Sequence, residues 1–174
     1  MMLELNKFFE SVSKNKPTKE VISCRITKDY INFFNQVIDK LKELNITTIL
    51  DIACGKGNLV KMCRSEGINS YGIDPIINTD PNIYQGTFSG VINNQKILEN
   101  YKIDCITVIN TLHGKHHNSL ELEQLFKFLK SRAKYIIITH PIRLENLIEG
   151  LKLVHEFEGS HGDKSAFHKM YKII

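Results

Sequence analysis

Apolar residues recur along this chain with two different spacings, and the switches between them mark its elements. Leu3–Val12 fits a short helix, followed by a polar, lysine-rich stretch around Lys14–Lys19 that contains Pro17. In residues 28–44 the apolar positions Ile31, Phe33, Phe34, Val37, Ile38, Leu41 and Leu44 follow helical spacing. Ile46–Cys54 is a nearly continuous apolar run ending at Gly55, the pattern of a buried strand. The pattern then alternates. A helix over Gly57–Glu66 is followed by strands at Ser70–Ile73 and Asn82–Gln85 and a helix at Val91–Tyr101. A strand at Ile103–Asn110, a helix at Ser119–Arg132 with Ser119 as its N-cap, and a strand at Tyr135–Thr139 come next. Leu144–Glu149 fits one or two helical turns, and Leu151–Phe157 and Lys169–Ile174 read as two last strands.

Strand–helix alternation predicts an α/β fold with a parallel sheet, doubly wound, with helices on both faces. The last two strands are joined by a Gly/Ser/His-rich loop without a helix. They predict an antiparallel hairpin, so the sheet is mostly parallel with an antiparallel C-terminal strand. The organisation expected is one domain: an N-terminal helical segment, 1–44, packing on or capping the site, and a ligand-binding body, 45–174.

Composition narrows the class without naming a ligand. The 174 residues are 42% hydrophobic and 24% charged, which fits a globular domain. A net charge of +4 is scattered, so it permits an anionic partner without requiring one. Cys24, Cys54, Cys63 and Cys105 form no CxxC pair, which argues against a zinc site or a disulfide framework and for reduced, cytoplasmic thiols. The N-terminus has no apolar signal region, and no stretch approaches the roughly 20 apolar residues of a membrane span.

The chemistry concentrates after the first strand. In TTILDIACGKGNLVKMC, a buried strand runs through Asp51 into Ala53, Gly55 and Gly57, and a helix follows. Glycines let the chain turn tightly and let a ligand approach the backbone, while the helix start presents free N–H groups. Just over 20 residues later YGIDP ends a second strand in Asp74, a spacing that suits a carboxylate on the hydroxyls of a ribose. A dinucleotide fingerprint would place a small residue at position 60, where Val60 stands, and no P-loop is present.

These segments resemble the Rossmann-like S-adenosylmethionine (SAM)-dependent methyltransferases. ILDIACGKG resembles their first motif, with Ala53 for the first glycine, and YGIDP their second. IDCITVINTLH resembles their fourth-strand motif, AKYIIITHP their fifth strand, and the terminal hairpin their antiparallel last strand. The resemblance implies that Asp51, Ala53, Gly55 and Gly57 line the methionine end of SAM and that Asp74 binds the ribose. It also implies that Pro75 or Ile76 borders the adenine, that Gly86, Thr87 and Phe88 contact it, and that Asn110, Thr111 and Leu112 pass near the sulfonium. Two departures stand out: only six residues separate Pro75 from Asn82, so the usual crossover helix is missing or very short, and Gly86-Thr87-Phe88 stands where the usual acid follows the third strand.

Five histidines fall where the predicted topology places the carboxyl ends of the strands: His113, His116, His117, His140 and His161. An alcohol or amine acceptor has a proton to lose, and imidazole suits that near neutral pH. His113 is the first candidate general base and His117 the second. A metal cluster of these histidines is the bolder reading, not adopted because no local carboxylate joins them. His155 and His168 lie within strands and read as packing or surface residues, and Tyr30, Phe33 and Phe34 as core. The expected activity is methyl transfer to O or N of a small-molecule acceptor. The alternatives are a nucleic-acid or protein methyltransferase and a non-catalytic SAM-fold binding subunit. Nucleic acid is the less favoured partner, since Asn110-Thr-Leu-His lacks the (D/N/S)PP(Y/F) pattern of base amino-methylases.

Overall fold

The computed structural model of the chain describes residues 2–14, 28–109, 119–140, 146–157 and 167–174. In chain order the elements are α1 (Met2–Ser13), α2 (Lys28–Glu43), β1 (Thr48–Ile52), α3 (Asn58–Ser65), β2 (Asn69–Asp74) and β3 (Ile83–Gln85). There follow α4 (Phe88–Asn93), a 3₁₀ turn (Gln95–Leu98), β4 (Ile103–Val108), α5 (Ser119–Arg132), β5 (Ala133–His140), β6 (Leu151–Phe157) and β7 (Phe167–Ile173). The strands form one sheet in the order β3-β2-β1-β4-β5-β7-β6. β1 to β5 pair in parallel, and β7 runs antiparallel to both β5 and β6. The predicted mostly parallel sheet with an antiparallel C-terminal strand is therefore the sheet that forms.

Period-2 alternation splits the strand side chains between two cores. Leu50, Ile52, Ile73, Ile106, Val108, Ile136 and Ile138 face α1, α4 and α5. Ile49, Cys105, Ile137 and Met170 face α2 and α3. Asp51 lies between Leu50 and Ile52 in β1, so its carboxyl is on the α2/α3 face. In α1 the buried residues Leu5, Phe8, Phe9 and Val12 follow the i, i+3, i+4, i+7 pattern of a helix stripe. Phe9 stacks on Tyr84 of β3 at 4.1 Å and leans on Tyr71 of β2 at 5.2 Å. In α2 the stripe is Phe33, Phe34, Val37, Ile38 and Leu41, all buried.

At the amino edge of the sheet one side chain ties three strands together. Asp104 of β4 accepts hydrogen bonds from Thr47 N (3.1 Å), Thr47 Oγ1 (2.8 Å) and Thr48 N (3.1 Å), and pairs with Lys134 Nζ of β5 at 2.6 Å. Burial alone would raise this carboxyl; the bonds from Lys134 and Thr47 outweigh it and hold the group below its ordinary value.

Several elements differ from their sequence-based bounds. The first strand stops at Ile52 because Ala53 turns left-handed, at φ 62°. The helix expected over Val91–Tyr101 begins earlier, at Phe88, where Thr87 Oγ1 accepts from Gly90 N. It breaks after Asn93, and Asn94 Nδ2 donates to the Gly90 carbonyl at 2.8 Å before the 3₁₀ turn starts. The fourth strand ends at Val108, and Asn110 lies outside the described residues. Of the helical turns expected at Leu144–Glu149, residues 146–150 form a short turn and 144–145 lie outside the described residues. No helix among the described residues is long and apolar enough to cross a membrane.

Because Phe9 is fully buried among aromatic rings, Phe9→Ala is expected to cost about 3–5 kcal/mol. Ile31, 45% exposed on α2, provides the control: Ile31→Ala should change stability by less than about 0.5 kcal/mol. Urea midpoints of the two variants check both values.

Candidate functional site

All five parallel strands end at one edge of the sheet, and the strand order reverses between β1 and β4. Ligands of open α/β sheets bind outside the carboxyl ends at such a switch point. Here β1 passes into a bend in which three residues are left-handed: Ala53 (φ 62°), Gly55 (φ 57°) and Gly57 (φ 70°). A side chain at Gly57 would be strained by its left-handed φ of 70° and would have to displace Ile83, whose Cδ1 would lie 1.9 Å from the added Cβ. The bend is pinned to β2, whose Ile73 carbonyl accepts from Ala53 N (2.7 Å) and Cys54 N (3.2 Å).

Asp74, at the tip of β2, completes the bend. Its Oδ2 accepts from Gly55 N at 2.7 Å and its Oδ1 from Ile76 N at 2.9 Å. Burial raises its carboxyl, and these two N–H groups oppose the rise. Asp51 is 5% exposed, and its Oδ1 accepts from Thr107 Oγ1 of β4 at 2.6 Å. No donor among the described residues reaches its Oδ2. Burial pushes the Asp51 carboxyl up to about 7, against the Thr107 bond, and the negative charge of Asp74 adds to the rise. Asp51 pairs in register with Gly72, two residues before Asp74 on the neighbouring strand. Both carboxyls thus lie on one face, their Cα atoms about 8 Å apart from strand spacing and rise.

The remaining sequence-predicted residues are distributed as follows. Pro75 and Ile76 follow Asp74 directly, and the Pro75 carbonyl accepts from Gln85 Nε2 at 3.1 Å. Gly86 lies against α1, where a Cβ would meet Val12 Cγ1 at 2.4 Å. Thr87 uses its hydroxyl to cap α4, and Phe88 is buried in the α1/α4/α5 core, across the sheet from Asp51. Asn110, Thr111, Leu112, His113, His116, His117 and His161 lie outside the described residues. His140 is the last residue of β5. His168 is a buried strand residue, as expected of packing, but it is also polar-bonded. Its Nδ1 is 3.0 Å from Thr139 Oγ1, and its ring stacks on Phe33 at 4.0 Å.

Two residues of the site escape a reading of motifs. Thr107, the partner of Asp51, had a signal: it is the one hydroxyl in the apolar run Ile103–Ile109. Gly72 had a fainter one. A Cβ there would sit 2.6 Å from Cys54 Sγ and 3.2 Å from Val60 Cγ2. The glycine that lets helix and strand pack closely is thus on the strand, which is why Val60 is tolerated on the helix.

The donor set suits a cationic nucleoside: two buried carboxyls on one face beside a left-handed bend. A doubly wound seven-stranded sheet closed by an antiparallel hairpin, with this bend at its switch point, defines the Rossmann-like class I methyltransferase fold. Residues 6–163 match the family described as a methyltransferase domain. The chain belongs to that family and is a SAM-dependent methyltransferase. Solved structures agree in fold. A magnesium protoporphyrin IX methyltransferase from Synechocystis PCC 6803 with bound SAM superposes with a TM-score of 0.62 at 12% identity, covering 99% of this chain and 91% of the other. The methyltransferase domain of bacterial-CtHen1-CN gives 0.61 at 14% identity, over 84% of this chain and 100% of the other. A SAM-dependent methyltransferase from Archaeoglobus fulgidus gives 0.53 at 18% identity, over 84% and 100%. No curated protein matches the sequence significantly.

The raised Asp51 carboxyl carries a stability signature. In the unfolded chain Asp titrates near 4, so between about 4 and about 7 the folded state binds more protons, and stability falls as pH rises through that window. Asp51→Asn removes the titration. In urea unfolding without ligand, the wild-type protein should lose roughly 1–3 kcal/mol relative to the variant between pH 5 and pH 8. Parallel pH profiles would contradict the assignment.

Proposed function

We propose that this chain transfers the methyl group of SAM to an oxygen or nitrogen of a small-molecule acceptor. The observation that carries the reading is the pair of carboxyls, Asp51 and Asp74, on one face at adjacent strand tips beside the left-handed bend. SAM, when bound, supplies an electrophilic methyl on a positively charged sulfur. The residues of this chain then have three tasks. Asp51, Ala53, Gly55 and Gly57 hold the amino-acid end, with Asp51 ionised to meet its ammonium group. Asp74 takes the ribose hydroxyls, and Pro75 and Ile76 border the adenine; Thr87 and Phe88, committed to the α4 cap and the opposite core, take no part. Asn110, Thr111 and Leu112 are assigned to the reacting centre by the resemblance of their segment to the fourth-strand motif of the family.

Most of the rate enhancement in such a displacement comes from holding acceptor and methyl in line. His113, with His117 as the second candidate, takes the acceptor proton as general base. The first 44 residues supply a wall of the acceptor pocket: α1 ends against Gly86, and α2 brings Phe33 onto His168 at the tip of β7. The small-molecule class is favoured by the porphyrin-derivative methyltransferase among the fold neighbours, which matches nearly the whole of this chain. Among the described residues Cys54, Cys63 and Cys105 are free thiols, in keeping with a cytoplasmic protein.

Calorimetry with S-adenosylhomocysteine checks the cofactor assignment. Asp74→Ala should weaken binding by about 10- to 100-fold, from the loss of charge-assisted hydrogen bonds. At pH 6 the wild-type protein should release a proton on binding, because the ligand's ammonium group lowers the Asp51 carboxyl. Asp51→Asn should abolish that release, read as the dependence of binding heat on buffer ionisation enthalpy.

Methyl-labelled SAM, incubated with the protein and a fractionated cell extract, checks the acceptor class. Label is expected in the low-mass fraction; label in RNA or protein would instead favour the macromolecular alternative. His113→Ala should keep SAM affinity and lose turnover by about 10²–10⁴-fold. Unchanged turnover would remove His113 from the chemistry.

A further inference from the structure

The connection between β2 and β3, residues 75–82, contains no helix, yet it forms the wall of the site next to Asp74. It is shaped by short polar bonds centred on Asp80. Asp80 N donates to Asn78 Oδ1 (3.0 Å), Asp80 Oδ1 accepts from Asn82 N (2.9 Å), and the Asp80 carbonyl accepts from Ile83 N (3.0 Å). Across the gap Arg64, in the last turn of α3, grips the same carboxyl with both terminal nitrogens, Nη1 to Oδ1 at 2.9 Å and Nη2 to Oδ2 at 2.6 Å. The Asp80 side chain is 8% exposed and that of Arg64 39%. The wall carries Ile76, half-buried, and Ile77, 80% exposed, directly beyond Asp74.

We propose that Arg64 and Asp80 are a positioning pair for nucleoside recognition, holding the Asp74–Asn82 wall at a fixed distance from α3 so that Ile76 and Ile77 present an apolar face to a planar base. This inference rests on the cofactor reading above. Its basis is which parts the fork joins. Gly57 caps α3, so the helix is continuous with the glycine bend, and Asp80 is continuous with Asp74. The fork therefore adds a second tie between the two halves of the site, at the far end of α3 from the Gly55–Asp74 bond. A partly exposed ion pair adds little to global stability, but a two-point guanidinium–carboxylate contact fixes direction as well as distance. A crossover helix would fix the wall by packing; a connection this short has no such core.

The test compares two ligands, S-adenosylhomocysteine and adenosine, binding to the full chain. Arg64→Met and Asp80→Asn should each weaken both ligands by a similar factor, about tenfold, and the double variant should be no weaker than either single one. Arg64→Lys, which keeps the charge but not the fork, should fall between wild type and Arg64→Met and serves if the larger change impairs folding. An equal factor for the two ligands places the effect at the nucleoside, which they share, provided the variants are fully folded, because a reduced folded fraction would also weaken both ligands equally. Urea unfolding of each variant supplies that control: a folded fraction near one at the binding condition is expected, and a binding loss accounted for by the unfolded fraction would overturn the proposal. Binding within twofold of wild type in every variant would also overturn it. Wild-type protein that binds neither ligand removes the cofactor reading itself, and this inference with it, whereas normal wild-type binding with unaffected variants removes the inference alone.

Discussion

The site is organised around an unfavourable arrangement: two carboxyls on one face, largely withdrawn from water and about 8 Å apart at the Cα atoms. Left alone, each would resist ionisation, and each would make the other worse. The surrounding chain compensates from different directions. β4 offers Asp51 a hydroxyl from Thr107. The bend offers Asp74 the Gly55 amide, and the start of the next connection offers it the Ile76 amide. The Gly55 amide can point at Asp74 because the chain turns left-handed at residues 53, 55 and 57. At Ala53, which has a Cβ, that conformation costs roughly 1–2 kcal/mol, offset in part by the hydrogen bonds of Ala53 and Cys54 to Ile73. Strand, bend, acid and helix start form one hydrogen-bonded unit, and the charge it leaves uncompensated suits a cationic ligand.

That unit was largely legible in the sequence because its parts are local. The run from Ile49 to Ile52 is buried throughout, so it reads as a central strand from composition alone. A bend of glycines after it, and an acid ending the following strand, leave little freedom in where the acid lies, because parallel neighbours align in register. The antiparallel hairpin was legible for a similar reason: a short Gly/Ser/His-rich sequence between two strands restricts how they can pair. Helix stripes such as Leu5, Phe8, Phe9 and Val12 were legible because burial on one face imposes its period on the sequence.

What was not legible depends on contacts between distant positions. Nothing near Thr107 reveals that its hydroxyl meets Asp51, 56 residues away. Gly72 looks like an ordinary strand glycine until Cys54 and Val60 are seen packed against it. The helix after β3 was misplaced because its apolar positions persist past Asn93 and Asn94. There the asparagine side chain competes for a backbone carbonyl and ends the helix. Thr87 and Phe88 illustrate the same limit: by position they follow the third strand, but in space one caps a helix and the other fills the core.

The two halves of the carboxyl edge solve the problem of buried polar groups in different ways. At β1, β2 and β4 a threonine hydroxyl and backbone amides stabilise carboxyls, and the result is a pair of buried acids on one face. At β5 and β7 another buried threonine, Thr139, is paired across the strands with His168, whose ring lies on Phe33. Phe157 meets Phe33 edge-on at 5.6 Å. There the described residues contribute a hydroxyl, an imidazole and aromatic rings packed tightly into the core. On the proposed reading, the carboxyl half meets the charged cofactor with groups already held in place by the sheet and its first bend. Under the other half, the packed aromatic foundation fixes the ends of β5 and β7 by burial, with the Thr139–His168 contact as a buried polar pair within it.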